Sequence, residues 1–251
     1  MRIKSSNPAI SGKILQSFTS DISNKKMTVS GAIDRTGVLL LILITSGALT
    51  YSSLYRSWAI IEQIGVHPML YPAMVGGGIL AFITAFIVIF KPNTAPLTAP
   101  IYAVFEGIAI GAMSCMPGYS DLTFSAMIVT CSILGVMLFL YRAKIIQPTQ
   151  KFKAGVMTAT IGLFVVIGVN LLLNIFGVET ALYGGGLFAI GFCLFMIAVG
   201  SCFLILDFEL IESLARNGAP KRMEWYAGFS LMLTLVWIYL EVLRLLSYLR
   251  D

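Results

Sequence analysis

The chain has 251 residues, of which 58% are hydrophobic and only 12% charged, and its mean hydropathy is +0.89. A soluble domain averages about 25% charged residues, so this chain lacks the polar surface to live in water, and the bilayer is its natural solvent. The formal net charge of +5 does not form one basic patch, so no nucleic-acid partner is expected.

Residues 1–36 are polar, Ser-rich and contain Pro8, without the apolar core of a signal peptide. They read as a flexible cytosolic arm preceding one membrane domain, residues 37–251. A helix needs about 20 apolar residues to cross the hydrocarbon core. Seven stretches meet or approach that length, at 37–57, 69–90, 98–116, 122–141, 154–176, 184–206 and 226–248. The breaks carry the expected Pro, Gly and charged punctuation: "HPMLYP", "KPNTAP", "MPGYSD", "RAKIIQPTQKFK", "GVETA" and "RNGAPKRMEW". The expectation is an all-α integral membrane protein of seven transmembrane helices.

Cytosolic loops carry an excess of Lys and Arg. One side collects six basic residues of the arm (Arg2, Lys4, Lys13, Lys25, Lys26, Arg35), Lys91, four from the loop after span four, and Arg216, Lys221 and Arg222. That is fourteen of the 17. The other side holds Arg56 and Arg250, while Arg244 falls within the last span. The N-terminus is therefore expected in the cytosol and the C-terminus outside.

An ionised side chain at the bilayer centre costs about 2.5–3.5 kcal/mol on insertion scales. Three acids lie where that cost applies: Glu106 in span three, Asp207 at the end of span six and Glu241 in span seven. Each has a purely structural reading. Glu241 can pair with Arg244 three residues on, Glu106 can hydrogen-bond a neighbouring helix, and Asp207 can be solvated beside Glu209 and Glu212. Asn170 and Asn174, four apart on span five, point to a polar interior or to interhelical hydrogen bonds. Gly107 and Gly111 form a small-xxx-small pair for close helix approach. Gly76–Gly78 and Gly184–Gly186 are expected to loosen spans two and six.

Several functions lack their residues. Span seven has no lysine for a retinal Schiff base, and the single histidine, His67, lies in an outer loop. No G-x-S-x-G and no phosphate loop is present. The four cysteines have no zinc-site spacing. An enzyme is not expected, nor a cofactor. A transport pathway or a scaffold remains. Two acids at close quarters in low dielectric tend to share a proton, a pH switch that needs no histidine. Ca²⁺ can replace the proton, but it prefers six to eight oxygens, so a site made by Asp207 and Glu241 would be weak.

The C-terminal third, "LDFELIESLARNGAPKRMEWYAGFSLMLTLVWIYLEVLRLLSYL", resembles the bacterial YccA-like branch of the transmembrane Bax inhibitor motif family, and "PIYAVFEGIAIGAMS" resembles that family's third helix. The resemblance implies a bundle with the last helix central, wrapped by six, in a bacterial plasma membrane. It also implies a pH-sensitive calcium leak governed by two proton-sharing acids, which "DFELI" and "YLEV" place at Asp207 and Glu241. It implies as well a regulator that binds membrane proteins, including a membrane-anchored protease; a carboxylate that alternates between H⁺ and a cation would also suit a proton-coupled cation exchanger. The second acid is Glu where the family has Asp, and it follows the first by 34 residues. With helices ending near Arg216 and starting near Glu224, the acids differ in depth by about 12 Å at 1.5 Å per residue.

Overall fold

The computed structural model describes residues 26–58, 68–116, 118–177 and 186–250. Seven long helices follow in order: α1 Val29–Trp58, α2 Leu70–Phe90, α3 Ala95–Met113, α4 Thr123–Arg142, α5 Gln150–Ile175, α6 Gly186–Arg216 and α7 Met223–Arg250. A short 3-10 turn, Pro92–Thr94, joins α2 to α3. No strand occurs among the described residues, and all seven helices are long and apolar enough to cross a membrane. Most of the expected arm, the His67 loop and Gly184–Gly185 lie outside the described residues, as does the side chain of Arg56.

Two helices overrun their apolar stretches. Helix α1 starts at Val29 and α6 continues to Arg216. Polar residues extend α6 because partners meet them at the bundle end. Lys153 pairs with Glu209 at 2.5 Å, and the Tyr141 hydroxyl donates to Glu212 at 3.0 Å. The N-terminus of α5 is capped by Thr149, whose side chain accepts from Phe152 N–H.

The core surrounds α7, where Phe229, Met232, Ile238 and Leu243 are all but inaccessible. Helices α1, α3, α4 and α6 pack directly on it, while α2 lies outside α3 and α5 outside α6. The last helix is central as expected, with four helices rather than six forming its main sheath.

Glycines set the closest approaches. A Cβ at Gly107 would overlap Ser46 and the Leu43 carbonyl, and one at Gly111 would overlap the Gly47 carbonyl. The backbones of α1 and α3 therefore touch, as the small-xxx-small pair predicts. Gly77 does not loosen α2, which runs unbroken. A Cβ there would sit 3.0 Å from the Phe105 carbonyl oxygen of α3, so the residue is a packing glycine.

Candidate functional site along the α6–α7 seam

Cys193, Gly200 and Asp207 recur every seven residues on α6, the period that keeps one stripe of a helix facing a neighbour. All three are buried. Each meets α7 at a different depth, and the three levels make up the seam.

At the first level, Asp207 is 2% exposed. The Ser230 hydroxyl donates to its Oδ1 at 2.5 Å, and the Thr234 hydroxyl donates to its Oδ2 at 2.6 Å. Ser230 and Thr234 are four apart and so share one face of α7. Tyr226, one further turn back, also lies in the field of this carboxyl. The solvated reading of Asp207 is thereby excluded, because α6 extends well past it and α7 closes over it.

At the middle level Gly200 receives Ile238. A Cβ on that glycine would lie 2.9 Å from Ile238 Cγ1. The seam is dry and tight here, and it separates the polar groups above and below.

At the third level Arg244 Nη1 donates to both Glu241 oxygens, at 3.0 and 3.1 Å. The Glu241 side chain is 5% exposed and that of Arg244 26%. The fully buried Cys193 thiol faces the same carboxyl.

The geometry gives Asp207 and Glu241 separate partners rather than bringing the two acids together. Asp207 is bound at Ser230 and Thr234, and Glu241 lies seven residues beyond Thr234, about 10 Å further along the axis. Each acid completes its own set of partners, so neither needs the other. Among the described residues no three His, Cys, Asp or Glu side chains gather closely enough to hold a metal ion.

The other polar candidates lie away from the seam. Glu106 faces the Tyr102 hydroxyl one turn earlier on α3, and Tyr102 in turn packs edge-on against Phe229 of α7 at 5.1 Å. Asn170 is buried at 4%, whereas Asn174 is exposed on the last turn of α5. Their shared face therefore does not yield a shared polar interior, because α5 is an outer helix that turns little of its surface inward.

Sequence reasoning passed over Ser230, Thr234 and Cys193. Two hydroxyls four apart in an apolar span, and a heptad ending on Asp207, were the available signals. It also passed over Glu224, 2% exposed at the start of α7. Glu224 Oε1 accepts from the backbone N–H of Thr28 at 3.2 Å and from its hydroxyl at 3.3 Å, so an acid from the last helix anchors Thr28, whose hydroxyl accepts from Gly31 N–H at the start of the first. Beside it, Met27 N–H donates to the Ala219 carbonyl at 2.7 Å. The chain before α1 is thus tied to the α6–α7 connection.

The profile of the family described as Bax inhibitor 1 like matches residues 7–251, all but the first six positions. The chain belongs to the Bax inhibitor 1 like family. No curated protein and no solved structure matches it. With seven spanning helices and this membership, it is an integral membrane protein.

Proposed function

We propose that this protein is a passive, pH-sensitive pathway for cations, Ca²⁺ foremost, whose opening follows the charge state of Asp207. The observation that carries the reading is a carboxyl group only 2% exposed inside a membrane bundle, held across a helix–helix seam by two neutral hydroxyls. As a carboxylate it accepts both bonds and clamps α6 to α7. Once protonated it donates to one hydroxyl and accepts from the other, and both bonds become neutral, roughly half as strong as charge-assisted ones. The clamp therefore weakens on protonation, and α6 and α7 gain freedom to separate. Glu241 acts on a second, separate level, as the ion-paired partner of Arg244. The basic ends of the helices, with the α6–α7 connection, face the cytosol of a bacterial cell of the YccA-like branch.

The test is Ca²⁺ entry into liposomes carrying the purified protein, between pH 5 and 8. Wild type is expected to leak with a pH-dependent rate, Asp207→Asn to lose that dependence, and Glu241→Gln to change the rate while keeping the profile. Wild-type liposomes that pass no Ca²⁺ anywhere in this range refute the reading.

A second reading, a regulator that binds membrane proteins, draws support from the tie between the N-terminal segment and the α6–α7 connection. A partner held by the arm would then act directly on the seam. Deleting residues 1–25 should abolish co-purification of that partner; retained binding counts against it.

A further inference from the structure

Helices α1 and α4 flank α7 without closing on one another, and a cleft of about 540 Å³ lies between them. Its cause is the glycine packing already described. Gly107 and Gly111 draw α1 onto α3, while α4 leans on α6 and α7. Leu235, Val236 and Tyr239 of α7 form the floor. The rim is open to the surroundings of the bundle, with Ile44 49% exposed and Phe124 66% exposed. The volume is within the roughly 300–1,000 Å³ of pockets that enclose small ligands.

We propose that this cleft binds one acyl chain of a bilayer lipid, with the lipid head group beside Tyr239 and the connection between α3 and α4. Length, polarity and size each point to that occupant. From Leu40 to Tyr51 the α1 wall runs about 16 Å, close to one leaflet of a hydrocarbon core about 30 Å thick. The far end is apolar, at Leu40 and Leu134. The near end carries the hydroxyls of Tyr51, Ser114, Ser120, Thr123 and Tyr239. A chain with a polar head fits that gradient in one direction only.

The Tyr239 hydroxyl supplies the polar contact. It is shut off from water and lies against the hydroxyls of Ser114 and Thr123. The neighbouring Ser114 and Thr123 hydroxyls already donate to the Ile110 and Tyr119 carbonyls of their own chain segments, at 2.9 and 3.1 Å. An ester or phosphate oxygen of the lipid offers this cluster of hydroxyls a further acceptor. At the same end Arg250 pairs with Asp121 at 3.5 Å while staying half exposed, so a guanidinium stands at head-group level for a phosphate.

The experiment uses the full chain in nanodiscs containing a phospholipid with a photoreactive diazirine in one acyl chain, and maps the cross-links by mass spectrometry. Cross-links are expected to concentrate at Gly47–Ala48 and Met127–Leu134. There they should outlast a chase with unlabelled phospholipid that clears those at Phe164 of α5 and Phe195 of α6, both exposed. Ala48→Trp, which fills the cleft, should cut the cleft cross-links at least fivefold and leave the others unchanged. Tyr239→Phe should release the cleft lipid several-fold faster in the chase. Cleft cross-links that wash out as fast as those on α5, or that join two protein chains, overturn the proposal. So does a well-folded Ala48→Trp protein labelled like wild type. The wild-type chase decides alone if Ala48→Trp does not fold, and unchanged release from Tyr239→Phe overturns the head-group assignment.

Discussion

If Glu241 and Arg244 form a pair independent of Asp207, removing both should cost much less than the two single changes added together. At 3.0 Å and an effective dielectric constant near 20, the gross attraction is about 5 kcal/mol. Desolvation of the nearly buried glutamate offsets several kcal/mol of it. Arg244→Leu leaves that carboxylate beside the Cys193 thiol alone and should destabilise by about 3–5 kcal/mol. Glu241→Leu should cost less, about 1–3 kcal/mol, because the arginine is a quarter exposed and its long side chain can extend toward the head groups. The double variant should lie within about 1 kcal/mol of wild type, giving a coupling energy of about 3 kcal/mol or more. Equilibrium unfolding in mixed micelles, followed by circular dichroism for all four proteins, measures it. Additivity to within about 0.5 kcal/mol would show that the pair is energetically idle, and the independence of the two seam levels would lose its support.

Three other outcomes follow from the packing. Gly111→Ala drives a methyl group into the Gly47 carbonyl and should destabilise by about 1–3 kcal/mol. Its melting temperature in detergent should fall by several degrees, and an unchanged value would deny the backbone contact of α1 and α3. Glu224→Ala removes the acceptor that holds Thr28, whose own hydroxyl caps α1 by accepting from Gly31 N–H, and should cost about 1–3 kcal/mol. Trypsin should then cut faster after Lys26; an unchanged rate would mean the tie at Met27–Ala219 holds without it. Cys115, just beyond α3, donates toward the Tyr51 and Gly111 carbonyls, and burial pushes its thiol above the ordinary value. The folded state therefore holds this proton more tightly, and the associated stability is lost as pH rises through the raised value. Alkylation of Cys115 at pH 8 should be slower in the folded protein than in SDS, with the gap closing as pH rises. Equal rates at pH 8 would contradict the burial.

The tie between the segment before α1 and the α6–α7 connection gives the seam a mechanical link to the N-terminal arm. Arg35 strengthens the same corner by stacking over Trp225, 4.7 Å from the ring centroid. The end of the bundle that the loops mark as basic is thus also the end where α1, α6 and α7 are fastened together.

Seven spans and their division at the Pro- and Gly-rich breaks were legible in the sequence because transfer into lipid is summed locally, residue by residue. The Gly107–Gly111 contact was legible for a similar reason: two glycines four apart face one way in any helix. The partner of each acid was not. Whether Asp207 meets Glu241 or Ser230 depends on the rotation and depth of two helices that touch only in the folded bundle. Their offset came from α6 continuing past its apolar stretch to Arg216, which the bundle-end partners of Glu209 and Glu212 sustain. Asn170 and Asn174 parted for the same kind of reason, since α5 packs outside α6 and only one of the two points inward. The cleft beside Tyr239 is still more remote from sequence, because it is a gap left between helices drawn toward different neighbours. The chain dictates which residues enter the membrane; packing decides which of their polar atoms find each other there.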